Sequence, residues 1–230
     1  MFNKSFVALF IINGILSWYT LTSDIIGGIA YTAPFSAWSF GAYMAKMMPI
    51  ATLSILFFLA FYYSNKEKHV KILTKATPVN STKYEIIRIG TITFCFLIII
   101  SLTVGLSLYF YASLFDYWNF AEFLIPLSTV VLPCFSLALG LGHLIGRIHV
   151  GLLYSLMLVT LIFAFRNFND NFDFFCIGYF SNYPMSLPVD TYGEPYFTVN
   201  STFLLARGMY LFFGIILLSI SIRISEKRIE

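Results

Sequence analysis

The residues in this chain that could do chemistry are few and scattered. His69, His143 and His149 stand apart from any partner at ligand spacing: no H-E-x-x-H stretch and no Cys/His pair of the metal-binding kind occurs. Each reads as a polar surface or interface residue. Cys95 and Cys134 fall in apolar runs and Cys176 in a polar stretch. Three cysteines make no disulfide framework, so all three read as free thiols serving as small apolar side chains. No G-x-x-x-x-G-K-[ST] phosphate loop is present, so the chain is not expected to hydrolyse nucleotides itself. The expectation is a protein that is not an enzyme and binds no cofactor or metal of its own. What remains is recognition, concentrated in a basic loop and an aromatic segment.

The loop reads NKEKHVKILTKATPVNSTKYEIIR over residues 65–88. At about 100° per residue, residues 66–77 place Val70, Ile72, Leu73 and Ala76 on one arc and Glu67, Lys68, Lys71 and Lys75 on the opposite one. This pattern predicts a short amphipathic helix. Thr77-Pro78 ends it, because the residue before proline is pushed out of the helical region. Thr82 followed by Glu85 three residues later is a capping-box signature for the next helix. Such a helix could rest on anionic headgroups or insert its apolar face into a groove on a soluble partner. The residues leave both readings open.

The aromatic segment lies in 167–203. Phe172, Phe175, Cys176, Tyr179, Phe180 and Tyr183 recur at helical spacing and predict a helix of two or three turns, with Asn169 or Asp170 as its cap. Tyr favours membrane interfaces, so an interfacial belt is the plainer reading. Phe172, Phe175, Tyr179 and Phe180 acting as an external gate is the functional one.

The elements that must carry these clusters follow from composition. Hydrophobic residues make up 59 % of the 230 residues and charged residues only 11 %, against roughly 25 % in a soluble domain. That excludes a soluble enzyme, a disordered chain and a nucleic-acid binder. A crossing helix needs about 20 mostly apolar residues. The runs free of charge predict an all-α polytopic membrane protein, a single domain over 1–230, with six spans near 6–22, 45–63, 86–111, 123–145, 149–166 and 204–223. Residues 1–22 read as a retained span rather than a cleaved signal peptide. The uncharged run 25–45, with Gly27-Gly28 and Pro34, reads as a segment at the outer surface. Arg207 is expected to snorkel to the interface. Gly142 and Gly146 form a small-xxx-small pair for close helix approach.

Sorting the charges by side gives the orientation. The termini, the loop 64–88 and the turn 146–148 hold eleven of the fourteen Lys and Arg and four acids, a balance of +7; the opposite side comes to −4. The Lys/Arg bias predicts that the +7 side, with both termini, is cytoplasmic. No charge falls near the midplane of a proposed span, where ion-coupled machines place theirs. No repeat of two halves is visible.

Six spans, cytoplasmic termini and a charged helix between spans two and three resemble the permease subunits of type-2 ABC exporters. The motif residues are Glu67, Lys68, Ile72, Leu73, Thr77-Pro78, Tyr84 and Arg88. The topology match covers the whole chain; the motif match covers about 25 residues. The sequence departs from the pattern where His69-Val70 replaces small residues, and where few residues precede the first span. The resemblance implies a coupling loop over 64–85 in which Glu67, Lys68, Val70, Lys71, Ile72, Leu73 and Lys75 dock a separate ABC ATP-binding subunit, which would hold ATP and Mg. It implies a second permease chain, identical or related, in a bacterial plasma membrane, and export of a hydrophobic or amphipathic substrate such as a peptide toxin or antibiotic. The other reading kept is an integral-membrane assembly or lipid-associated protein without transport activity.

Overall fold

The computed structural model describes residues 4–64, 81–165, 173–189 and 195–227. Every long element among them is helical, and the one strand-like feature is an isolated bridge between Val189 and Pro195. Helix α1 (Lys4–Thr20) continues into a π turn, Leu21–Ile25. Then come α2 (Ala37–Tyr62), α3 (Ser81–Phe115), α4 (Leu124–Ile148), α5 (Val150–Phe165), α6 (Ile177–Asn182) and α7 (Ser201–Lys227).

Five of these, α1 with its π turn, α2, α3, α4 and α7, are long and apolar enough to cross a membrane. At 1.5 Å per residue, α2 is about 39 Å long, against a hydrocarbon core of about 30 Å. The sixth expected span, near 149–166, corresponds to α5. It has 16 residues in the described structure, about 24 Å, which is short of that thickness.

The second helix begins eight residues before its expected start. Residues 37–44 are not part of a surface segment; they are the first two turns of α2, and Phe40, Tyr43 and Met44 are fully buried. The Ser36 hydroxyl accepts from the Ser39 amide (3.1 Å) and starts the helix. Pro49 lies mid-helix, where it leaves the Ala45 carbonyl without its i+4 donor. The same shift draws Lys46 inside the helix, nine residues from its start, rather than at its edge. Its ammonium meets the Asp24 carboxylate of the π turn at 2.8 Å.

Glycine fixes the closest helix crossing. A Cβ on Gly140 of α4 would fall against the Gly214 carbonyl of α7, and one on Gly214 would fall against the backbone of Ser136 and Leu137. The two backbones touch there, as small residues permit in membrane bundles. The expected pair Gly142 and Gly146 serves a different neighbour: Gly142 meets Leu56 and Leu59 of α2, and Gly146 meets Tyr63. The connection from α4 to α5 is a single extended residue, His149, whose ring Nδ1 accepts from the Gly151 amide at 3.0 Å and so caps α5.

Side-chain contacts set two ends. The start of α1, the end of α2, the start of α3, the end of α4 and the end of α7 meet at one of them, here called the basic end, through Phe6–Phe58, Tyr63–His143, Glu85–Arg147 and His143–Ser221. The opposite, aromatic end is closed by α6 and the turns around it.

Candidate functional site

The coupling-loop residues Glu67, Lys68, Val70, Lys71, Ile72, Leu73 and Lys75 lie outside the described residues, as does Phe172. The structure does describe what the loop is tied to. It leaves α2 at Tyr62–Ser64 and enters α3 at Ser81.

Four residues into α3, Glu85 is fully buried. Its carboxylate accepts from the Arg147 guanidinium of α4 and lies 3.5 Å from His143 Nε2. His143 Nδ1 shares a 2.7 Å hydrogen bond with Ser221 of α7. The Tyr62 and Tyr63 rings of α2 flank the imidazole at 6.1 and 5.7 Å. One buried polar cluster thus joins α2, α3, α4 and α7 where the loop attaches. The Glu85 carboxylate reaches into the bundle to Arg147; the side chain of Thr82, its expected capping-box partner, lies outside the description. His143 was expected at a surface or interface, and here it is 1 % exposed. His143 and Arg147, four apart on α4, already share a helix face in the sequence, which is the signal that could have found the cluster.

Three residues further along α3, Arg88 lies over the Tyr62 ring at 4.0 Å and the Tyr84 ring at 4.9 Å. Tyr84 and Arg88, singled out by the family motif, therefore adjoin the Glu85 cluster through Tyr62.

At the aromatic end, Phe175, Tyr179 and Phe180 are brought together and buried. The helix there is shorter than expected. After a turn at 173–176, α6 runs for six residues and passes into a 3-10 turn, Tyr183–Ser186. Its N-cap residue is Cys176, and Asp173 supplies the acceptor for its first amides; the expected caps Asn169 and Asp170 lie outside the described residues. The Asp173 carboxylate accepts from the amides of Gly178 (2.6 Å) and Tyr179 (3.3 Å). Burial holds its carboxyl above the ordinary carboxylate range, although the two amides and the Arg207 guanidinium pull the other way. Phe180 seats on Gly41 of α2, where a Cβ would fall inside its ring. Tyr179 stacks on Phe203 at 3.6 Å, and Trp38 meets Phe197 at 4.8 Å. These rings form a packed cap.

Arg207 does not snorkel. It is 2 % exposed and donates to the Asp173 and Phe174 carbonyls, the latter at 2.7 Å. Cys134 donates to the same Phe174 carbonyl at 3.1 Å. All three cysteines are free and buried, as the sequence predicts.

An apolar cleft of about 560 Å³ opens between α2, α4, α5 and α7, lined by Leu56, Leu141, Leu156, Phe163 and Tyr210 among others. Among the described residues no group of His, Cys, Asp and Glu is placed to hold a metal ion.

The fold defines the class: an all-helical chain with the architecture of a multi-pass membrane protein. Comparison with protein-family models, with curated proteins and with solved structures finds no match.

Proposed function

We propose that the chain is the membrane-spanning permease subunit of an ATP-driven exporter in a bacterial plasma membrane. The observation that carries this reading is where the basic loop is anchored. It joins α2, the most enclosed of the five long helices, to α3, which the buried Glu85 ties to Arg147 of α4. A load on residues 66–77 would pass at once to the centre of the bundle and to two further helices.

In this reading a separate ATP-binding subunit receives Val70, Ile72 and Leu73 in a groove. Lys68, Lys71 and Lys75 face acids on its rim and steer association more than they add affinity. ATP and Mg belong to that subunit. A second permease chain, identical or related, completes the pathway. The apolar cleft between α2, α4, α5 and α7 suits a hydrophobic or amphipathic cargo, such as a peptide toxin or antibiotic. Phe175, Tyr179 and Phe180 close the far end as a gate.

The test is purification of the chain in detergent from cells that express its neighbouring genes. A nucleotide-binding subunit with ATPase activity stimulated by the permease is expected to co-purify, and Leu73→Asp is expected to abolish both. Retention of the subunit by the L73D protein, with unchanged stimulation, would refute the docking role. The competing reading, a lipid-associated assembly protein, predicts no ATPase partner and binding of the 64–88 peptide to anionic vesicles only.

A further inference from the structure

The apolar cleft between α2, α4, α5 and α7 has a floor and a mouth. Thr52 and Leu56 of α2 and Ala138 of α4 are its buried floor, while Val159 and Phe163 of α5, 41 % and 37 % exposed, stand at its mouth. Helix α5 packs on α2 and α4, and α7 packs chiefly on α4. The mouth thus lies on the apolar flank of the bundle, where Leu158 and Ile162 of α5 are exposed as well. A ligand that enters there comes from the hydrocarbon, not from water.

The floor holds a polar group without a partner. Thr52 is 1 % exposed, and its hydroxyl makes no hydrogen bond among the described residues. A helical threonine commonly bonds its hydroxyl to the carbonyl three or four residues back, as Thr160 in the same lining does to Met157 at 2.7 Å. A buried hydroxyl left unpaired is destabilising, and a ligand's polar group relieves that. Threonine has two accessible rotamers in a helix, so the enclosed hydroxyl can turn to a group bound against it. We propose that this cleft binds a neutral lipophile drawn from the bilayer, a long hydrocarbon chain with one uncharged hydrogen-bonding group that Thr52 meets. The proposal deepens the transport reading and rests on it for calling that ligand a cargo; the binding itself does not.

The lining disfavours other occupants. It contains no Asp, Glu, Lys, Arg or His, so a charged headgroup would be buried there unpaired, at a far higher cost than a hydroxyl. Arg207, one turn before Tyr210, is 2 % exposed and stands behind the lining, donating to the Asp173 and Phe174 carbonyls. A peptide main chain would bring an N–H and a C=O with every residue, more than the hydroxyls of this wall can pair. The volume of about 560 Å³ suits one small ligand. A smaller cleft between α1 and α3, along Phe10, Trp18 and Leu106, is equally apolar but has no hydroxyl in its lining, and serves as the control.

The test is photolabelling of the full-length protein in phosphatidylcholine nanodiscs. Neither ATP nor a partner subunit is needed, so the outcome is separate from that of ATPase co-purification. The probes are a long-chain alcohol with a diazirine in its chain and the matching alkane and fatty acid, each at the same mole fraction in the bilayer. Label is located by peptide mass spectrometry. The alcohol is expected to label the cleft peptides of α2, α4 and α5 severalfold more than the alkane does, and severalfold more than it labels the cleft between α1 and α3. Thr52→Val, which keeps the shape and removes the hydroxyl, should lower alcohol labelling of the cleft about fivefold, as the loss of one hydrogen bond does, and leave alkane labelling unchanged. Thr52→Ser should retain alcohol labelling. Leu141→Trp, which fills the cleft, should lower labelling by alcohol and alkane alike. Equal alcohol labelling of the two clefts would mean immersion in bulk lipid only and would overturn the proposal. So would labelling that T52V leaves unchanged, or a fatty acid that labels the cleft more strongly than the alcohol, which would make Arg207 the partner instead.

Discussion

The Arg147 guanidinium of α4 donates to the buried Glu85 carboxylate of α3, and His143, one turn before Arg147, lies 3.5 Å from the same carboxylate. Breaking a buried pair from one side leaves a charge without compensation, at a cost of about 3–5 kcal/mol. Glu85→Ala is therefore expected to lower the thermal unfolding temperature in detergent sharply. Replacing both members, Glu85→Met with Arg147→Met, should recover most of the loss. A double variant no more stable than E85A would show that the pair is not the unit that matters.

How much of this was legible in the sequence depends on the range of the interaction. The helices follow from uninterrupted apolar runs, and apart from the start of α2 every helix end lies within five residues of its expected position. The start of α2 was missed because Gly27-Gly28, Pro34 and the Ser, Thr and Tyr residues of 25–45 read locally as irregular. In the bundle, Gly41 makes room for Phe180, and Tyr43 is anchored by bonds to Ser17 and to the Thr103 carbonyl, 2.9 Å. Such tertiary partners outweigh local propensity. The inward turn of Glu85 and of Arg207 was illegible for a related reason: a charge near a span end looks from sequence as if it faces water, and only its partner 62 or 34 residues away shows that it turns inward.

The Gly140–Gly214 crossing predicts an asymmetry among glycines. Gly214→Ala would drive a methyl into the backbone of Ser136 and Leu137, which cannot move aside as a side chain can. Overpacking of this kind costs about 1–3 kcal/mol. Gly208→Ala, on the same helix with nothing within 4 Å of the added carbon, should be neutral or stabilising by about 0.5–1 kcal/mol, since alanine is the better helix former. Unfolding midpoints of the two variants, side by side, check this. Equal losses at both positions would refute the close crossing.

The aromatic cap makes a prediction about thiol access. Cys176 is fully buried in a left-handed conformation with φ 67°, and its carbonyl accepts from the Phe180 amide at 3.1 Å. In a protein whose only cysteine is Cys176, maleimide labelling should be slow. Phe180→Ala empties the seat on Gly41 and should speed labelling at least severalfold, with a stability loss of about 3–5 kcal/mol. A gating role adds a further expectation. In cells, F180A should also change the accessibility of Cys176 between ATP-replete and ATP-depleted conditions. Labelling that is already fast in the single-cysteine parent would remove the cap as a barrier of any kind.

Asp173 gives the pH dependence, and its sign follows from the cause of its shift. Burial raises the folded carboxyl above its unfolded value, near 3.9. A group raised in this way contributes stability that is complete below the unfolded value and is lost as pH rises through the folded one. The wild type should therefore lose stability relative to Asp173→Asn as pH is raised from about 4 toward neutrality. Asparagine keeps an oxygen for the Gly178 and Tyr179 amides, so D173N should retain the cap. Asp173→Ala removes that acceptor and should be about 1 kcal/mol less stable than D173N at every pH, as lost caps are. Thermal unfolding of the three proteins across the pH series separates the two effects. A wild-type curve that gains on D173N with rising pH would mean that the amides and Arg207 outweigh burial, and that the charged form is the one the fold prefers.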